Sequence, residues 1–192
     1  MIETFDGKVP RIAASAFVHS LALVRGDVQI GELCIVHPGA VINADWAPIR
    51  IGDRVMIEDN CVLHAGRRED WQRAVGTALT IGNEVIVGHG AVIHGTRIGD
   101  HVMIGMNATI LQNVEIADSC VIAAGAVVPE GERIPTGSFV AGVPARIKGK
   151  VNKDQAVWTG EGIDRAQAFP VFLEYIRKLR EACTTSSPAA ED

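Results

Sequence analysis

From Val18 onward the apolar positions of the chain recur every six residues. Read in sixes, the sequence gives VHSLAL, VRGDVQ, IGELCI and VHPGAV, and further on IGDRVM, IEDNCV, IGNEVI, VGHGAV, IGDHVM, IGMNAT, ILQNVE, IADSCV and IAAGAV. The first position is almost always Ile or Val, the second is often Gly, and the fifth is small or β-branched. A period of six matches neither the 3.6-residue turn of a helix nor the alternation of a lone strand. It predicts an all-β fold, a parallel β-helix in which each hexad forms one flat face. The first side chain points into a triangular prism, the fifth packs beside it, and Gly, Asn and Asp suit the corners. Three hexads then make one coil, and coils stack at about 4.8 Å.

The frame slips at Asp45-Trp46-Ala47-Pro48, where Pro marks an outward bulge. Between His64 and Leu79 the charged segment AGRREDWQRAVGTA lacks hexads and reads as a loop, the kind of element that carries function. A minor slip at HGTR, before Ile98, shortens one face by a residue. The prism ends near Phe139–Pro144, so residues 1–150 form the β-helical domain and 151–192 a helical extension. Asn152 is placed to cap a short helix through Trp158, stopped by Gly160. A second helix is expected from about Pro170 to Cys183, with Phe172, Tyr175, Ile176 and Leu179 on one face. That helix is expected to pack along the outside of the prism, and the tail TTSSPAAED to be disordered.

Composition sharpens this picture. The chain has 22 Val and 20 Ile against 8 Leu, with only 5% aromatic residues, which fits a thin prism better than a helical bundle. A net charge of −5 gives no footprint for nucleic acid. No apolar run is long enough to suggest a membrane span, and MIETFDGKVP shows no secretory signal. Cys34, Cys61, Cys120 and Cys183 have no CxxC spacing and read as reduced thiols of a cytoplasmic protein, three of them in small-residue slots of the repeat.

Six histidines are candidates for chemistry. His19, His37 and His101 read as surface corner residues. His64 and His94 hold the same hexad phase on either side of the charged loop. With that loop contributing about 12 residues they would lie one coil apart, at ~4.8 Å, where their imidazoles could converge on one ion. His89 precedes His94 across one face, roughly 16 Å of extended chain. It is therefore not expected to reach that ion in its own chain, although a second subunit could supply it. Three neutral imidazoles with an open position make a catalytic zinc arrangement. Register alone leaves three surface histidines as an equal alternative.

Val62-Leu63-His64, followed after the loop by Val87-Gly88-His89-Gly90-Ala91-Val92-Ile93-His94-Gly95, resembles the metal-binding signature of γ-class carbonic anhydrases. Ile104-Gly105-Met106-Asn107-Ala108 and Ala141-Gly142-Val143-Pro144-Ala145 resemble that family's later motifs, and the likeness covers roughly residues 8 to 148. The resemblance implies a left-handed β-helix and a homotrimer. It also implies zinc, ferrous iron or cobalt at each subunit interface, held by His64 and His94 of one chain and His89 of the next. The C-terminal helices look closer to phenylacetate-degradation and carnitine-operon relatives. Two positions depart from the pattern. Asn43-Ala44-Asp45 stands where the family carries Arg-Gly-Asp, and Ile57-Glu58-Asp59 where it carries Ile-Gln-Asp. Arg25-Gly26-Asp27 lies one coil too early and matches a different Gly-Asp, so Asp45 is expected to lack its arginine partner. Glu58 could take a proton, orient a histidine or face solvent, and Glu69 and Asp70 are shuttle candidates by position.

The resemblance thus implies hydration of CO2 to bicarbonate by metal-bound hydroxide, with Glu58, Asp45 and Asn43 as candidate catalytic residues. Three alternatives stay open: an acyl-CoA thioesterase using the same hydroxide, a hexapeptide acyltransferase using one histidine as base, and a non-catalytic metal-binding homologue.

Overall fold

The computed structural model describes residues 1–66, 77–94, 97–160 and 165–185. The expected loop shuttles Glu69 and Asp70, the Gly95-Thr96 step of the HGTR slip and residues 186–192 of the tail lie outside the described residues, whereas Thr184 and Thr185, expected in a disordered tail, end the last helix. The chain winds into the parallel β-solenoid that the hexads predict, with two hydrogen-bonded sheets of 12 and 8 strands wrapped around one core. Two long strands, Leu23–Ile30 and Val41–Ile51, each bend across two faces, so the larger sheet supplies two sides of the prism. The eight-stranded sheet is the third side, closed by an antiparallel pair, Ser138–Gly142 with Ala145–Lys150. Strands begin earlier than the hexads suggest: Ile2–Glu3 already pairs with Val24 and Arg25.

Ladder pairings on the third side recover the predicted irregularities. Phe17 pairs with Ile35, and Met103 with Val121, each at the plain offset of three hexads. The step from Ile35 to Met56 is longer, because it absorbs the Asp45–Pro48 bulge. The step from Met56 to Ile86 is longer still, because it absorbs the segment before Leu79. From Ile86 to Met103 the offset falls one short of a full coil, as the HGTR slip requires.

First-position residues such as Ile30, Ile57, Ile93, Ile104, Ile110 and Ile116 are buried in the core. Fifth-position Cys34, Ala40, Cys61, Ala91, Ala108 and Cys120 pack between them. Their small volume lets the prism stay narrow at packing density close to that of a crystal. One corner is sewn by side chains that accept from the preceding coil: Glu32 N donates to Asp53 Oδ1 (2.8 Å), Asp53 N to Asn83 Oδ1 (2.9 Å), Asn83 N to Asp100 Oδ1 (2.7 Å) and Asp100 N to Asp118 Oδ1 (2.9 Å). Glycine precedes several of these residues because there is no room: a Cβ on Gly52 would meet the Gly82 carbonyl oxygen at 2.7 Å.

Beyond the prism, helix α1 (Lys153–Ala156) begins at Asn152, whose side chain caps Gln155 N while the Gln155 side chain accepts from Asn152 N. A 3-10 turn, Val157–Thr159, follows and ends at Gly160 with φ 76°. Helix α2 (Arg165–Thr185) starts before the expected Pro170, which therefore lies inside it. An internal proline forfeits one helical hydrogen bond and crowds the carbonyl of the preceding turn, and the packing of the following turns against the prism offsets that cost. Ile176 is buried against Phe17 and Ile35 of the third side, with Phe172, Leu179 and Cys183 around it. Among the described residues, no helix is long and apolar enough to cross a membrane.

Candidate metal centre

Side chains at the second hexad position leave the prism at the end of each short strand, and on the first side these line up from coil to coil. Arg25 pairs in register with Asn43, Asn43 with His64, and His64 with His94. The His64 and His94 rings stack with centroids 5.0 Å apart and planes 16° from parallel. Burial holds the His64 imidazole below the usual histidine range, against the opposing pull of the Asp45 carboxylate. His94 is lowered by burial and then by its neighbour His64. Both effects favour the neutral, ligating form of the ring.

Asp45 is held from two directions. Its Oδ2 accepts from Asn43 Nδ2 at 3.2 Å, and its own N–H donates to Asn43 Oδ1 at 3.2 Å. Its Oδ1 lies 3.1 Å from Arg25 Nε, an ion-pair distance, yet is buried without an aligned hydrogen bond. Arg25, set aside as lying one coil too early, therefore gives Asp45 an arginine partner within its own chain. Arg25 sits directly beneath Asn43, and stacking of coils brings its guanidinium to the carboxylate from the preceding turn of the prism. Phe5 braces that guanidinium, with Arg25 Cζ 4.4 Å from the ring centroid.

His89 stands at the corner between the third and first sides and is 53% exposed in its side chain. Its Nδ1 lies 2.9 Å from Asp59 Oδ2, and its Nε2 lies 3.9 Å from Glu58 Oε2. Among the described residues, His64, His89 and His94 of one chain do not form a group of ligand atoms close enough to share an ion. Glu58 does not face open solvent: its side chain is 18% exposed and its Oε2 is 3.6 Å from His37 Nε2. Glu58 shares hexad phase with His64 but follows a strand of the third side, whereas His64 ends one of the first.

His37, expected at the surface, is buried at 9% exposure. The bulge at Asp45–Pro48 shifts the next coil so that His37 falls opposite Glu58, and α2 then lays Tyr175 beside it, ring centroids 6.4 Å apart. Sequence reading set Arg25 aside as one coil too early and did not place His37 or Tyr175 at this centre. Stacking at the plain offset of three hexads places Arg25 beneath Asn43, and an alignment that carried the bulge through would have set His37 opposite Glu58.

The known proteins that this chain resembles point in two directions. A model of the bacterial transferase hexapeptide (six repeats) family matches residues 95–130. A carbonic anhydrase of Geobacillus kaustophilus is 40% identical over 94 residues, covering 49% of this chain and 47% of that protein. The carnitine operon protein CaiE of Escherichia coli is 30% identical over 95 residues, covering 50% of this chain and 44% of that protein. The chain thus spans about half the length of the curated relatives it matches. Among solved structures, a putative acetyltransferase of Bacillus cereus is 28% identical, with a TM-score of 0.76 over 96% of this chain and 98% of that one. The likeness to hexapeptide-repeat proteins named carbonic anhydrase, expected from the histidine motif, is present in these matches.

Proposed function

We propose, from a hexapeptide-repeat solenoid whose relatives include carbonic anhydrases, that the chain hydrates CO2 at a divalent metal centre completed between subunits. The observation that carries this reading is the in-register stack of two desolvated imidazoles, His64 and His94, beside a fixed carboxylate, Asp45. The donor set fits a metal. Two rings favour the neutral state, and the third candidate has its Nδ1 engaged by Asp59, which leaves Nε2 as the ligating atom. His64 and His94 of one subunit and the partner subunit's His89 would hold the ion in a trimer. Zinc, ferrous iron and cobalt all suit imidazole donors. When bound, such an ion lowers the pKa of a coordinated water towards ~7 and so supplies a nucleophile at neutral pH.

The chain's own residues set the rest of the chemistry. Asn43 and Arg25 fix the Asp45 carboxylate, Asn43 at Oδ2 and Arg25 beside the buried Oδ1. Glu58 holds a carboxylate 3.9 Å from His89 Nε2, beside the ligating atom of the proposed centre. Asp59 fixes the His89 tautomer, a role that costs activity when removed because the ring then loses its orientation.

The likeness to the Bacillus cereus putative acetyltransferase over nearly the whole chain favours a second reading, acyl transfer from or hydrolysis of an acyl-CoA. A groove of about 660 Å³ lies beside α2 and is lined by Met56, Ile86, Trp158, Phe169 and Phe172 rather than by His64 or His94. Metal analysis of protein purified without oxygen, followed by CO2 hydration and acyl-CoA turnover on the same sample, separates the readings. Near one equivalent of metal per subunit at the histidines, with CO2 hydration, supports the first. Less than a tenth of an equivalent removes both hydrolytic readings and leaves histidine-based acyl transfer or a non-catalytic role.

A further inference from the structure

His37, Glu58 and Asp59 each bring one ligand atom to a common point, with all three atoms within 4.8 Å of one another. His37 is only 9% exposed, and its Nε2 is buried with no hydrogen-bond partner. That nitrogen faces Glu58 Oε2 at 3.6 Å, too long for a hydrogen bond. A buried ring nitrogen left without a partner is destabilising, so the arrangement calls for a partner between the two groups. Two ligands on one tetrahedral zinc stand ~3.3 Å apart, given metal–ligand bonds of ~2.0–2.2 Å. The His37–Glu58 separation is close to that value.

We infer that His37, Glu58 and Asp59 form a second divalent-cation site within each chain, distinct from the centre at His64 and His94. One imidazole nitrogen and two carboxylate oxygens suit a first-row ion such as zinc, manganese or iron(II). The nitrogen donor disfavours calcium, which takes oxygen ligands. Both carboxylates add the negative charge that such an ion requires. Tyr175 of α2 stands beside the His37 ring, with centroids 6.4 Å apart. An ion here would fix Glu58 and Asp59 together, and through Asp59 the orientation of His89.

This site does not depend on the reading of the first centre, and one experiment distinguishes the two. Metal-free protein is titrated with cobalt(II) alone, and bound metal per subunit is measured by equilibrium dialysis for wild type, His37→Ala, His37→Gln and His64→Ala. The inference expects two ions per subunit in wild type, one in each His37 variant and one in His64→Ala. A single wild-type ion that survives both His37 substitutions but is lost in His64→Ala overturns the second site and leaves the first standing. A single ion lost in the His37 variants but retained in His64→Ala supports the second site and overturns the first. No bound ion overturns both. Should the His37 variants fail to fold, crystals of cobalt-loaded wild type decide: an anomalous peak between His37 Nε2, Glu58 and Asp59 supports the site, and its absence there overturns it.

Discussion

Arg25 reaches Asp45 across a single coil boundary, and the contact sets what each residue can do. The pair is partly shielded, with 33% and 19% of the two side chains exposed, so its contribution to stability is small. Its effect on the orientation of Asp45 is larger. Arg25→Ala should leave the melting temperature within a few degrees of wild type while lowering CO2 hydration about tenfold, the equivalent of ~1.4 kcal/mol in the barrier. Arg25→Lys keeps the charge but not the planar fork and should fall between the two. Assays of both variants beside thermal melts check this. The neighbouring Asp27–Arg50 pair makes a prediction about acid. The Arg50 hydrogen bond holds the Asp27 carboxyl below its usual range. The folded chain therefore keeps that carboxylate ionised to lower pH than the unfolded chain does. The stabilisation is complete above the usual Asp value of about 4 and is lost as pH falls through the folded value. Denaturant melts from about pH 6 to about pH 2 should show that part of the acid limb missing in Arg50→Gln.

At the level of the coil, stability comes from a repeated small contact rather than from one large core. Gly88 follows a third-side strand beside His89, and a Cβ there would meet the Ile104 carbonyl oxygen and Met106 N, both at 2.9 Å. Backbone cannot yield as a side-chain tip can, so Gly88→Ala should force adjacent coils apart and disturb His89. Circular dichroism melts together with metal affinity would register both effects. Ile93 is fully buried between His94 and the prism axis, and its replacement by Ala should cost about 2–5 kcal/mol.

The same coil geometry explains what could be read in advance. The first and fifth hexad positions were legible because every coil presents the same environment to them. The uneven steps from Ile35 to Met56, Met56 to Ile86 and Ile86 to Met103 could also be anticipated, since Asp45–Pro48, the loop and HGTR break the pattern visibly. The pairing of His37 with Glu58 was not read because it depends on carrying the bulge through to the following coil. Tyr175 was invisible at this site for a different reason. It arrives on a helix far along the chain from His37, and helical periodicity names the buried face of α2 but not the surface it covers.

Across the whole molecule, the narrow core shields three of the four cysteines. Burial pushes the Cys34 and Cys61 thiols up to about 11, and Cys120 is raised by the same cause. Cys183, on α2, is the partly exposed one. Native protein near neutral pH should therefore titrate one fast thiol with a disulfide reagent and four after unfolding, and Cys183→Ser should abolish the fast one. The prism also places His64 and His94 on one side and His89 around a corner, pinned to Asp59, so a centre that uses all three needs a second copy of the chain. The most direct test is complementation between two inactive variants. His64→Ala and His89→Ala are unfolded together, refolded as mixed oligomers and assayed for metal binding and CO2 hydration. The account predicts that each pure variant is inactive and that mixing restores activity, because some interfaces then receive His64 and His94 from one subunit and His89 from another. Mixed oligomers as inactive as their parents would contradict it.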